Sequence, residues 1–200
     1  NKNASDEYTD VLNIYEKNHE TIDRMGARKI SLNVGLAYLK ANLFEQAFNH
    51  LLESYKQYDL KSRSGELLLG LGVAMDETGR DEDALKMFLS FTKRFPKDKH
   101  RVTATIRMGN IYLDKDQYTE AIAQFSQAYQ FSQDRLEKGK ILVNHSRVYS
   151  KKKDFNQAAV FLTNAVKDFA SAPGENYDLL TNTYRELGNT YLILNKYVIA

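Results

Sequence analysis

The sequence predicts an all-α protein, a solenoid of antiparallel helix pairs, and two observations carry that reading. The first is a spacing. Gly35, Gly72, Gly109, Ser146 and Gly188 fall 37, 37, 37 and 42 residues apart, and an alanine follows each by twelve: Ala47, Ala84, Ala121, Ala158 and Ala200. The second is the scarcity of proline. Only Pro96 and Pro173 occur in 200 residues, and both fall between copies of the spacing. Proline interrupts a helix interior, so these are the places where a helix must stop.

Each position in the spacing has a physical role. Three residues after the small one stands a large side chain, Tyr38, Met75, Tyr112, Tyr149 or Tyr191. Residues i and i+3 share one face of a first helix. Sixteen residues after the small one come Leu51, Phe88, Phe125 and Leu162, four beyond the alanine and on one face of a second helix. A small residue at the crossing lets the two helices approach closely, and the aromatic fills the space beside it. Between the helices, Asn42, Gly79, Asp116, Lys153 and Asn195 are expected to turn the chain. All but Lys153 belong to types that tolerate the left-handed backbone ending a helix. Asn42 with Glu45, and Asp154 with Gln157, read as capping pairs that open the second helix.

The register divides the chain into repeats at 28–64, 65–101, 102–138 and 139–180, with a fifth, 181–200, cut after its first helix. Residues 1–27 precede them. Val11, Leu12 and Tyr15 lie there at helical spacing and predict the second helix of an incomplete repeat, or a cap. The chain opens on Asn and stops where a fifth second helix would begin, so the expectation is a piece of a longer array.

Composition excludes several functions. Hydrophobic residues make up 42% and charged residues 27%, mixed along the chain, as in a folded soluble protein. A net charge of +2 supplies no field for nucleic acid. Absent cysteines remove disulfides, thiolate metal sites and cysteine nucleophiles, while leaving cytoplasm and periplasm equally open. No apolar run reaches membrane-span length, so no direct membrane insertion is expected.

The sequence holds no catalytic motif. His19, His50, His100 and His145 show no ligand spacing. His145 occupies a place held elsewhere by Val34, Leu71, Met108 and Leu187, so it reads as a packing histidine. Asp76, Glu77, Asp81, Glu82 and Asp83 surround a turn without the glycine and ligand order of a calcium loop, and read as solvated. Neither an active site, nor a metal, nor a cofactor is expected.

The series Gly109, Tyr112, Ala121, Phe125 and its copies resembles the tetratricopeptide repeat, a helix-turn-helix unit of 34 residues. The resemblance covers about residues 28–200, although the family's Trp position holds Ser31, Leu68, Thr105, Leu142 and Tyr184. The period is one helical turn longer than the family's, similar to that of bacterial envelope members and some regulatory scaffolds. The resemblance implies a right-handed superhelix and a non-enzymatic protein-interaction scaffold. The chaperone-tail-binding members hold a carboxylate with a Lys/Asn clamp. Here Asn110 and Asn144 match two of its places, but Ile106, Asn182 and Glu186 replace the rest, so no such clamp is expected.

First helices of stacked pairs line the concave side of a solenoid. Positions facing it supply the expected peptide-binding residues: Asn33, Leu36, Leu69 and Val73, then Arg107, Asn110, Asn144, Arg147, Arg185 and Asn189. The first group is largely aliphatic and the second is rich in Asn and Arg. Arginine grips carboxylates bidentately and asparagine grips peptide backbone, so the expected partner is a protein or peptide with an acidic segment. Two other readings remain: a regulatory or sensor module of a longer protein, such as a signalling enzyme, and self-assembly through the solenoid ends.

Overall fold

The structure is a computed structural model that describes residues 24–199, apart from 60, 173 and 175. The expected helix before residue 24 and the break at Pro173 lie outside the described residues. Among those described there are nine helices and no strand. The chain divides into two compact units, residues 1–98 and 99–200. Unit 1 holds α1 (Arg24–Lys40), α2 (Phe44–Gln57), α3 (Gly65–Glu77) and α4 (Asp81–Arg94). Unit 2 holds α5 (Arg101–Asp114), α6 (Tyr118–Phe131), α7 (Arg135–Lys151), α8 (Phe155–Ser171) and α9 (Tyr177–Ile199). In unit 1, α1 pairs with α2 and α3 with α4; in unit 2, α5 pairs with α6 and α7 with α8, and α9 lies on α8.

The small residues sit where the helices of a pair close together. A Cβ on Gly35 would lie 2.6 Å from Leu51, one on Gly72 2.7 Å from Phe88, and one on Gly109 2.5 Å from Phe125. Each partner is the residue sixteen positions on, and all three are fully buried. Ser146 replaces glycine in the fourth copy; it is buried and its hydroxyl donates to the carbonyl of Val143 at 2.7 Å. A further close approach lies outside this register: a Cβ on Gly139 of α7 would meet the ring of Phe169. Around these contacts Ala121, Phe125, Ala128, Ile141 and Val148 form a core in unit 2.

Four turns repeat one hydrogen-bond pattern. The N–H groups of Leu43, Arg80, Gln117 and Asp154 donate to the carbonyls of Tyr38, Met75, Tyr112 and Tyr149 at 2.8–2.9 Å. The preceding residues Asn42, Gly79, Asp116 and Lys153 take φ of 57°, 72°, 56° and 62°. This is the Schellman closure of a helix. It satisfies carbonyls that would otherwise be orphaned, and the pair of bonds holds even Lys153 left-handed.

Two expectations are corrected here. Asn42 does not cap α2: it is the left-handed residue, one position too early, and Leu43 occupies the cap without a side-chain bond. Glu45 instead pairs with Arg80 of the next turn, through two bonds of 3.1 and 3.2 Å. The other pair forms as expected, Asp154 accepting from the N–H of Gln157. Asn195 makes no turn, and α9 runs on to Ile199.

Two further helix starts have side-chain caps, while Arg80, His100 and Gln117 stand at the starts of α4, α5 and α6 without one. Ser64 accepts from the N–H of Leu67 to open α3, and Asp134 accepts from Leu136 and Glu137 to open α7. That cap starts α7 four residues ahead of the repeat boundary at 139. The acidic turn has a local explanation: Asp81, Glu82 and Asp83 form the first turn of α4, and Lys93 and Arg94 its last. Both ends complement the helix dipole.

Replacing Gly109 by Ala should destabilise the protein by about 1–3 kcal/mol through overpacking against Phe125. A Cβ added at Gly188 would have nothing within 4 Å, so Ala there should stabilise by up to about 1 kcal/mol through helix propensity. Urea denaturation of the two variants checks the contrast; equal effects would contradict the assigned crossing.

Candidate functional site

In unit 2 the first helices α5, α7 and α9 form one face, and two clefts adjoin on it. One, of about 430 Å³, lies between α7 and α9 and is lined by Lys140, Asn144, Arg147, Asn182, Arg185 and Glu186, with Val143 and Leu179 as apolar walls. The other, of about 540 Å³, lies between α5 and α7 and is lined by Asn110, Leu113, Asp114, Arg147, Ser150 and Lys151. Arg147 lines both clefts. Of the ten expected binding residues, Asn110, Asn144, Arg147 and Arg185 are thus brought together.

The remaining six are placed otherwise. Arg107 is half-buried on α5 and Asn189 exposed on α9, each outside these two clefts. In unit 1, Asn33 is exposed, and Leu36, Leu69 and Val73 are half-buried. Leu36 also packs α1 against α3: its Cδ2 would stand 3.0 Å from a Cβ on Gly70.

Local geometry orients the arginines. Asn144 Oδ1 accepts from Arg147 Nη1 at 3.3 Å, and Asn182 Oδ1 accepts from Arg185 Nη2 at 2.8 Å. Both pairs span three residues, so one turn of helix brings amide and guanidinium together. Each bond restrains a long side chain and leaves the other guanidinium donors open. Lys140, Arg147, Lys151 and Arg185 stand against Asp114 and Glu186 in the two clefts, four cations to two anions. The described lining of these two clefts is therefore net positive and rich in hydrogen-bond donors. Ile106, where a clamp lysine would stand, is half-buried and packs on the core.

His145 lies beneath the opposite face of α7 and is 4% exposed. Its ring stacks on Phe161 at 4.7 Å and tilts against Phe125 at 5.8 Å. Burial holds its pKa down to about 4, although a hydrogen bond with the Phe125 backbone pulls the other way. The ring is therefore neutral near pH 7 and part of the packing, and its Nδ1 has no hydrogen-bond partner among the described residues. Among those residues, too, no group of three His, Asp or Glu side chains is placed to hold a metal ion.

Comparisons agree with this architecture. Two tetratricopeptide-repeat family models match, one at residues 66–98 and one at 103–135. The fold is similar to that of YrrB, a tetratricopeptide-repeat protein with an unusual peptide-binding site, at 17% identity and a TM-score of 0.69, covering 90% of this chain and 84% of that one. It is also similar to MamA from Desulfovibrio magneticus RS-1, at 17% identity and a TM-score of 0.66 over 84% and 85% of the two chains. BtubC from P. vanneervenii aligns at 15% identity and a TM-score of 0.69, over 96% and 82%. No curated protein sequence matches the chain. The class defined by fold and face is the helical-repeat solenoid used as a protein-interaction scaffold. Within this chain, residues 66–98 and 103–135 are tetratricopeptide repeats.

The buried histidine makes stability depend on pH. Its folded pKa, about 4, lies below the ordinary 6.5, so the unfolded chain binds the proton more readily. Stability should be unaffected by this group above about pH 6.5 and fall as pH drops towards 4, by roughly 2–3 kcal/mol in total. Urea titrations at pH 7 and 5 check this. Replacing His145 by Leu, the residue at this place in two other repeats, should remove the loss; an unchanged acid dependence would contradict it.

Proposed function

We propose that this protein is a non-enzymatic interaction scaffold that binds an extended or helical peptide of a partner across the first helices of unit 2, with acidic side chains against Arg147 and Arg185. The observation that carries the reading is Arg147, shared by two adjoining clefts and held by Asn144. Guanidinium groups restrained in this way lose less freedom on meeting a carboxylate, and they pair with it bidentately. Asn110, Asn144 and Asn182 supply donor and acceptor for the backbone of the same peptide. Val143 and Leu179 offer walls for an apolar anchor. YrrB, similar in fold, is a precedent for peptide binding by such an array.

A second reading rests on the α9 surface, where Tyr177, Tyr184, Tyr191 and Leu192 are exposed. A patch of this kind supports association with another protein surface, including a second copy. Light scattering across a concentration series separates the two readings, since peptide binding in the clefts needs no change in oligomeric state.

Among short synthetic peptides, those with two or more Asp or Glu residues should bind, and their Asn/Gln counterparts should not. Replacing Arg147 by Ala should weaken binding about tenfold or more, the loss expected for one charge-assisted contact. The double Arg147/Arg185 variant should weaken it further and flatten the salt dependence. Undiminished affinity in the double variant would sink the proposal.

A further inference from the structure

The two clefts that share Arg147 are not alike in charge. The one between α5 and α7 holds Arg147 and Lys151 against Asp114, and its lysine is already paired with Asp116 at 3.4 Å. The one between α7 and α9 holds three cations, Lys140, Arg147 and Arg185, against Glu186. Among the described residues of this lining, three positive charges less one negative leave a surplus of two. Lys140, Asn144 and Arg147 stand at i, i+4 and i+7 and so form one ridge of α7. Asn182, Arg185 and Glu186 line the same cleft from α9.

The hydrogen-bonding capacity of this cleft is equally one-sided. Asn144 and Asn182 turn their Oδ1 atoms to the arginines at 3.3 and 2.8 Å, which leaves their Nδ2 groups as donors. Thr183 is buried, and its hydroxyl donates to the carbonyl of Leu179 at 2.6 Å. Two guanidinium groups, one ammonium and two amide NH2 groups thus stand against the carboxylate of Glu186. Val143, Phe169 and Leu179 wall the space with hydrocarbon, beside which charge-assisted bonds are stronger than in open water.

We infer that the α7–α9 cleft takes a phosphorylated side chain of the partner peptide, an inference that rests on the peptide-binding reading above. Lys140 is then the third cation, the one a carboxylate leaves unused. A carboxylate has two coplanar oxygens and one charge, and a single guanidinium fork matches it. A phosphomonoester carries about −1.5 to −2 charge near pH 7 and three strong acceptor oxygens. Its oxygens are not coplanar, so it can accept at once from groups on two helices. Its charge also matches the surplus of the lining. The α5–α7 cleft, with its lysine engaged and Asp114 beside it, is left for ordinary polar side chains of the same peptide.

The test uses labelled libraries of short peptides, degenerate except for a central phosphoserine, Glu or Ser, titrated by fluorescence anisotropy with inorganic phosphate as competitor. The phosphoserine library should bind about tenfold or more tighter than the Glu library, and the Ser library more weakly than both. Lys140 is exposed, so Lys140→Ala leaves the packing alone. It should remove most of the phosphoserine advantage while leaving Glu binding nearly unchanged. Lys151→Ala should preserve the advantage, and Glu186→Gln should enlarge it. Phosphoserine binding no tighter than Glu overturns this inference and leaves the acidic-peptide reading standing; failure of both libraries overturns both. An advantage that survives Lys140→Ala overturns the assignment to this cleft. Inorganic phosphate competing as strongly as the phosphoserine library overturns the assignment to a peptide.

Discussion

The contact on which both units depend is a missing Cβ. Gly35, Gly72 and Gly109 let Leu51, Phe88 and Phe125 pass so close that a methyl group could not stand between them. Each such crossing fixes the separation and rotation of two helices at once. The large residue is buried completely, which is worth about 1.5–3 kcal/mol per side chain. The tyrosine or methionine one turn later lends its carbonyl to the Schellman turn, so the same first helix that receives the crossing also fixes where the chain reverses. Every other feature, clefts included, is a gap or an edge left between helices set in this way.

Most of this was legible because packing residues must recur wherever the packing recurs. The small, alanine and Leu/Phe positions of the first four copies were visible as a period and are buried, whereas Gly188 and Tyr191 of the fifth are exposed. The turns were less legible. Asn42 can stand either in a left-handed turn or at a helix cap, and only the backbone shows which role it has. Lys153 lacks any left-handed preference but is held there by two hydrogen bonds that do not involve its side chain. Asn195 has the preference but stands inside α9.

The candidate site was legible in part, for a related reason. Helical spacing places Asn110, Asn144, Arg147 and Arg185 on one face, and in unit 2 they line its clefts. Spacing does not say how far a side chain is spent on packing, which is why Ile106 and Leu36 belong as much to helix contacts as to a surface. His145, a polar residue at a place held by Val34, Leu71, Met108 and Leu187 in the other copies, is spent on ring packing in the same way.

One surface pair links architecture to occupancy. Lys151 reaches back 35 residues to Asp116 at 3.4 Å, as Arg80 does to Glu45 in unit 1. Both carboxylates belong to the preceding turn or the start of the helix after it, so each pair ties neighbouring repeats at their rims. Exposed ties of this kind contribute at most about 1 kcal/mol and weaken with salt. Lys151, however, also lines the cleft beside Arg147. Its ammonium group carries three donors, so an anion in the cleft would share with Asp116 the same side chain that already joins two repeats.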